Sequence, residues 1–173
     1  MKIDTFKVER WMNEYEDDAV YNLAETCIDS LTLDELFKLA GIDGDEFLLS
    51  LKDKKMTYGD IFGSTAFKDG VASLYEDIRP EQVIPTHGAI GANNMVIMSL
   101  IEPGDNMISV MPTYQQHYSI PASIGAEVRI HQLTYENKFL PDIEKLAGQV
   151  DEKTKMITIN NPDNPTGSWI PME

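Results

Sequence analysis

The most informative stretch of the sequence is Asn160-Asn161-Pro162-Asp163-Asn164-Pro165-Thr166-Gly167, which directly follows an apolar run. Prolines and asparagines packed this closely are typical of a rigid turn. The amide of Asn164 offers both a hydrogen-bond donor and an acceptor, which suits a phenolate or hydroxyl oxygen of a ligand. The alternative interpretation is a stiff turn whose asparagines serve only backbone groups.

Working outward from this turn, segments with the pattern of strands alternate with helical segments from Gln82 onward. The predicted strands are Val83–Thr86, Asn106–Met111, Ala126–Leu133 and Lys155–Asn160, and the predicted helices are Asn93–Ile101, Tyr114–Ile124 and Pro141–Gln149. Gly88–Gly91 is predicted to be a turn, and Pro121 to interrupt or kink its helix. This alternation predicts an α/β fold with a mostly parallel sheet and helices on both faces.

The chain before this region is polar and helical. Predicted helices cover Lys7–Tyr15, Thr32–Ala40, Asp45–Lys52 and Thr65–Ser73, and a glycine-rich loop spans Tyr58–Gly63. The second helix has the sequence signature of a capping box, with Thr32 as the cap, Glu35 three residues on, and Gly41 closing the helix.

Ligands of parallel sheets bind in the loops at the carboxyl ends of the strands, here 86–92, 111–118 and 160–167. In the first loop, glycines precede a helix N-terminus, which favours an anion such as phosphate; the alternative is a simple tight turn. In the second loop, Tyr114 could stack on a flat aromatic ligand. Alternatively, Tyr114 and Tyr118 simply pack on one helix face.

Composition limits the function classes. The chain has 173 residues, with 14 Lys and Arg against 29 Asp and Glu, for a net charge of −15. Such a charge disfavours nucleic acid and anionic membranes as partners. One cysteine allows no disulfide within the chain, and the three histidines form no metal-binding signature. Without a signal-peptide pattern or a long apolar span, we expect a cytoplasmic location.

Asn161–Gly167 resembles the Asn-Pro-x-Asn-Pro-Thr-Gly motif of class I/II aminotransferases, the fold type I family that depends on pyridoxal phosphate. Thr86–Ala92 is similar to that family's phosphate-binding segment, and Glu102–Asp105 with the following strand and Pro-Thr-Tyr is similar to its next stretch. Thr57–Gly63 resembles the segment upstream. The resemblance, in family order, covers roughly residues 56 to 170.

The resemblance implies roles for residues at matching positions. Ala89 and Ile90 would offer backbone N–H groups to the cofactor phosphate, although the family often has Ser or Thr in place of Ile90. Tyr114 would stack on the pyridine ring, and Asn164 would bond its phenolic oxygen. Tyr58 would reach the phosphate in the neighbouring subunit of a homodimer. Residues 23–31 resemble the stretch that lies over the substrate carboxylate.

The resemblance also implies what lies elsewhere. The Schiff-base lysine, the carboxylate beside the pyridine nitrogen and the substrate-binding arginine all follow the Asn-Pro-Thr-Gly motif in the family. We therefore expect the N-terminal half of a larger enzyme, with no catalytic residue in this chain and no activity of the chain alone. The expected division is an N-terminal helical segment, residues 1–55, and an incomplete cofactor-binding large domain, residues 56–173.

Three functions remain open from the sequence. The first is an aminotransferase acting on an amino acid and a 2-keto acid. The second is a lyase or decarboxylase relative of the same fold type, since the cofactor-binding loops are shared and reaction choice depends on other groups. The third is a non-catalytic remnant or assembly module, because an incomplete parallel sheet exposes an edge strand and apolar helix faces.

Overall fold

The computed structural model describes residues 2–171, which fold as two compact units. One unit combines the stretch ending at Thr26 with the chain from Thr86 onward, and the other is Cys27–Pro85. The boundary at 55/56 expected from the sequence falls inside the second unit and stays a prediction about the whole protein. No helix within residues 2–171 combines the length and apolar character needed to cross a lipid bilayer.

The Cys27–Pro85 unit is helical. It contains α2 (Leu33–Ala40), α3 (Gly44–Ser50), α4 (Thr65–Ala72) and a 3-10 turn at Pro80–Gln82. The capping box of α2 is confirmed: Glu35 N donates to Thr32 Oγ1 (3.2 Å), and Thr32 N donates to Glu35 Oε2 (2.8 Å). Gly41 ends α2 with φ of 67°, a left-handed conformation that costs glycine little.

The strand predicted at Val83–Thr86 is wrong. The segment is extended at Val83, with φ of −94° and ψ of 122°, but it belongs to no sheet in the described part of the chain. An extended segment counts as a strand only when a neighbour pairs with its backbone, and that pairing is not encoded in local periodicity.

The other unit contains α1 (Lys7–Tyr15), α5 (Gly88–Leu100), β1 (Asn106–Met111), α6 (Gln116–Ile124), β2 (Glu127–Gln132), α7 (Ile143–Ala147) and β3 (Thr154–Thr158). The three strands form a parallel sheet in the order β2-β1-β3. In the register, Met107 lies opposite Val128 on one side and Met156 on the other. This confirms the predicted parallel α/β architecture.

The core lies on the central strand. Met107 and Ile108 are fully buried, and because successive strand residues point to opposite faces, both faces of β1 are covered. On one face Met107 packs with Ile97 of α5, Ile120 of α6 and Ile101. The sheet thereby holds α5 and α6 in place, and these helices carry two of the loops singled out above.

Two helix predictions need correction. The turn predicted at Gly88–Gly91 is instead the first turn of α5, which begins five residues earlier than expected. Gly88 has φ of 71°, so the chain turns sharply there and then continues as a helix. Pro121 does not interrupt α6, which runs through it to Ile124. Only the bond that its nitrogen would have given to the His117 carbonyl is lost.

An ion-pair network ties β2 to the start of β3. Arg129 on β2 donates to Glu127 Oε1 (2.9 Å), to Asp151 Oδ2 (2.8 Å) and to the Gln149 carbonyl (2.7 Å). Chiefly through its hydrogen bond, Arg129 lowers the pKa of Asp151 to about 2. The network joins β2 to the connection between α7 and β3.

Candidate functional site

The candidate site lies at the edge of the sheet where the parallel strands end. The loop 112–115 follows β1 and the loop 159–167 follows its neighbour β3, so both lie at the carboxyl edge. The short turn Ile101–Asp105 connects the C-terminus of α5 to the start of β1, so α5 runs back and its N-terminus faces the same edge. The topology therefore brings together the three loops that the sequence singled out.

The first turn of α5 presents unpartnered backbone donors. Ala89 and Ile90 occupy this turn, and within residues 2–171 nothing accepts a hydrogen bond from their N–H groups. His87 gives no side-chain cap, and the first turn holds no acidic residue. Helix N-termini carry about half a positive charge, so this turn is open to an anion rather than closed by a side chain.

Tyr114 lies between β1 and α6 and is held by the N-terminal segment. Its hydroxyl donates to Glu9 Oε1 (2.8 Å), and Phe6 meets its ring edge-on with a centroid distance of 5.6 Å. Burial raises the pKa of Tyr114 to about 12, and the Glu9 carboxylate adds to the rise. Tyr114 lies two residues before the first residue of α6, and its ring packs against Phe6.

The asparagines in and beside the Asn-Pro-Asp-Asn-Pro-Thr-Gly loop have two different roles. Asn161 accepts from Ile170 N (2.9 Å) and donates to Ile170 O (3.3 Å), and Asn160 is placed to accept from Asn164 N (2.7 Å). These two residues stiffen the turn. The Asn164 amide bonds no backbone group; it donates to Thr26 Oγ1 (3.3 Å), and its oxygen has no partner among residues 2–171.

The Asn164 side chain borders an open pocket of about 260 Å³. Its lining is Thr26, Pro162, Asp163, Asn164, Pro165 and Gly167. Thr26 belongs to residues 23–31, the stretch that the resemblance places over the substrate. Within the loop, the buried Asp163 carboxylate accepts from Thr166 Oγ1 (2.6 Å) and so fixes the backbone on which Asn164 stands.

A polar chain joins the first turn of α5 to the Tyr114 loop. Gln116 Nε2 donates to the Ile90 carbonyl (2.7 Å), and Asn93 Nδ2 reaches both Gln116 Oε1 and His117 Nε2 at 3.3 Å. His117 Nδ1 lies 3.2 Å from Thr113 Oγ1. Burial lowers the pKa of the His117 imidazole, which favours its neutral form.

Sequence reasoning missed these supporting residues. Phe6, Glu9 and Thr26 meet the site only through tertiary contacts, for which the sequence holds no local signal. Gln116 and His117 follow Tyr114 closely in the sequence, but the sequence does not indicate that their partners lie on α5.

Tyr58 is the one predicted site residue in the Cys27–Pro85 unit. It lies in the glycine-rich loop and is 99% exposed. Among residues 2–171, no group of three or more His, Cys, Asp or Glu side chains could hold a metal ion.

This edge combines free helix N–H groups, a tyrosine ring and an asparagine amide, the groups that would suit an anionic aromatic ligand. The family model for "aminotransferase class I and II" matches residues 13–173, and the chain belongs to this family. It is 30% identical to aspartate aminotransferase of Thermotoga maritima over 128 residues, covering 71% of this chain and 34% of that enzyme. Against histidinol-phosphate aminotransferase of Methanococcus maripaludis, it is 38% identical over 92 residues, covering 53% of this chain and 24% of that protein.

A solved structure agrees with this assignment. The crystal structure of a PLP-dependent aminotransferase from Streptococcus suis 89-1591 superposes with a TM-score of 0.94 at 50% identity. The match covers 99% of this chain and 46% of that one, so this chain spans less than half the length of its structural relative. Pyridoxal phosphate is the cofactor of the family, and the confirmed resemblance extends to the fold.

The described residues fit this cofactor. Its phosphate is an anion, and the first turn of α5 offers unpartnered N–H groups with no carboxylate beside them. Its pyridine ring is flat and carries a phenolic oxygen, and the Asn164 amide retains an unpaired N–H among residues 2–171. The phosphate and the phenolic oxygen would therefore each find, among the described residues, a group that can bind them.

Proposed function

We propose that this chain is the N-terminal, phosphate-binding part of a pyridoxal-phosphate-dependent aminotransferase acting on an amino acid and a 2-keto acid. The observation that carries the proposal is the uncapped first turn of α5, which the Gln116–Ile90 hydrogen bond joins to the Tyr114 loop. When bound, the cofactor supplies an electron sink for the reaction at the substrate's α-carbon. The protein's part is to bind it, orient it and control its protons.

Each predicted site residue has a role in the proposal. Ala89 and Ile90 donate their backbone N–H groups to the phosphate. Tyr114 presents its ring to the pyridine face, and its contacts with Glu9 and Phe6 fix the angle of that ring. Asn164 donates its free N–H to the phenolic oxygen and thereby stabilises the negative charge there.

The proposal includes a homodimer in which Tyr58 reaches the phosphate of the partner subunit. Tyr58 is flanked by Met56, Ile61 and Phe62, each more than 80% exposed. A run of exposed apolar side chains is typical of a protein–protein interface. A net charge of −15 and a single cysteine support a cytoplasmic enzyme that binds neither nucleic acid nor membrane.

The resemblance assigns the Schiff-base lysine, the carboxylate at the pyridine nitrogen and the substrate-binding arginine to positions outside these 173 residues. We therefore expect the chain alone to be inactive and the whole protein to transaminate. Products distinguish the alternatives: a lyase or decarboxylase relative would cleave its substrate, and a non-catalytic remnant would leave it unchanged.

The test is cofactor binding and turnover by the whole protein, expressed from its complete gene. The wild type should bind pyridoxal phosphate with a visible absorbance band and exchange an amino group between an amino acid and a 2-keto acid. Asn164→Ala should weaken cofactor binding about tenfold or more, since a hydrogen bond to a charged oxygen contributes about 1.5–3 kcal/mol. Asn137→Ala, whose amide serves only the turn to Leu140, is the matched control. A wild type without the band, or an Asn164→Ala variant that binds normally, would refute the assignment.

A further inference from the structure

Gln116 is a buried polar side chain at the start of α6. It is only 2% exposed, although it lies in the first turn of α6 next to the candidate site. An uncharged amide at such a position is costly unless both of its ends are hydrogen-bonded. Both ends are: Nε2 donates to the Ile90 carbonyl, and Oε1 accepts from Asn93 Nδ2.

The directions of these bonds follow from one fixed point. A backbone carbonyl can only accept, so Gln116 must turn its NH₂ toward Ile90 and its oxygen toward Asn93. Asn93 must then present its own NH₂, and the same group reaches His117 Nε2, which accepts. The remaining hydrogen of the neutral imidazole is on Nδ1 and donates to Thr113 Oγ1. This series of hydrogen bonds has one consistent arrangement, and it ends at Thr113, one residue before Tyr114.

We propose that Gln116 is a positioning residue: its hydrogen bond to the Ile90 carbonyl sets the distance between the phosphate-facing turn of α5 and the Tyr114 loop. This inference rests on the proposed function, since the turn and the loop are assigned to opposite ends of one cofactor. Asn93 supports the role by orienting the Gln116 amide. The Ile90 carbonyl belongs to the first turn of α5, so a shift of this carbonyl also shifts the Ala89 and Ile90 N–H groups.

The test compares cofactors with and without the phosphate in the whole protein. Gln116→Met keeps the length of the side chain and removes both hydrogen bonds. Loss of one such bond is worth a factor of about five to ten, so pyridoxal phosphate should bind about fivefold to tenfold more weakly. Binding of pyridoxal, which lacks the phosphate, should change less than twofold. The readout is the dissociation constant of pyridoxal divided by that of pyridoxal phosphate, a ratio that Gln116→Met should lower. A general loosening of the fold would weaken the binding of both cofactors and would not alter this ratio selectively.

Two further variants keep the test decisive. Asn93→Ala leaves the Gln116–Ile90 bond possible but removes the group that orients it, and it should lower the ratio by a smaller factor; it replaces Gln116→Met if that variant does not fold. Gln132→Met, in which the exposed glutamine bonds only nearby carbonyls, is the matched control and should leave the ratio unchanged.

An unchanged ratio in Gln116→Met, whether both affinities stay the same or fall equally, would overturn the positioning role. A wild type that binds neither cofactor would refute the proposed function instead, so the two failures are distinguishable.

Discussion

The buried carboxylate of Asp163 is an internal constraint on the loop that carries Asn164. Asp163 is 6% exposed, and its Oδ2 accepts from Thr166 Oγ1 at 2.6 Å. Around it, Asp163 N donates to Ser168 O (2.8 Å) and Gly167 N donates to Asp163 O (2.7 Å). The side chain and the backbone thus close the same short turn.

Replacing Asp163 with Ala should destabilise the protein by about 2 kcal/mol. A hydrogen bond to a charged group contributes roughly 1.5–3 kcal/mol, and the freed Thr166 hydroxyl can turn to a second oxygen, which limits the further penalty. That oxygen is Ser168 Oγ, 3.1 Å away. Because the loop relaxes, pyridoxal phosphate should also bind more weakly, although Asp163 itself is not assigned a contact with it.

Urea unfolding of Asp163→Ala, Thr166→Val and the double variant measures this interaction as a double-mutant cycle. We expect a coupling energy on the order of 1.5 kcal/mol or more, because each single variant removes the same bond. The control is Asp60→Ala, an exposed aspartate whose side chain forms no hydrogen bond within residues 2–171; it should change stability by less than about 0.5 kcal/mol. Additive single-variant effects would refute the reasoning.

Three further outcomes are expected. Thr32→Ala should cost about 1 kcal/mol by removing the capping box with Glu35, seen as faster amide hydrogen exchange in α2; unchanged exchange would contradict it. Ultraviolet titration should show Tyr114 ionising near pH 12, and Glu9→Gln should bring that pKa down while burial keeps it above 10; a wild type without this late step would contradict the packing. Burial lowers the pKa of His117, so the unfolded chain takes up a proton more readily than the folded one as pH falls below about 6.5. The stability of the protein should therefore fall below that pH. His117→Gln should reduce this loss, as measured by denaturant midpoints at several pH values.

Much of the architecture follows from local patterns. The range of α1, the capping box of α2 and the range of β1 agree with the sequence predictions because each depends on residues within one turn or one alternating run. The failures have a common cause. The segment at Val83 is extended but pairs with no strand in the described part of the chain. Composition alone suggested a loop at Gly88, whereas α5 begins there because glycine allows a sharp turn into the helix.

The sequence by itself determined the family, through three motifs in family order: a glycine-containing helix start, a tyrosine after the next strand and an asparagine in a rigid turn. Only the tertiary structure decided which side chains hold them. Glu9 bonds Tyr114 across 105 residues, Thr26 bonds Asn164 across 138, and Gln116 bonds Ile90 across 26. Local propensity encodes how a segment folds, whereas the pairing of distant polar groups depends on which of them the packed core buries together, and that is settled only when the sheet and its helices assemble.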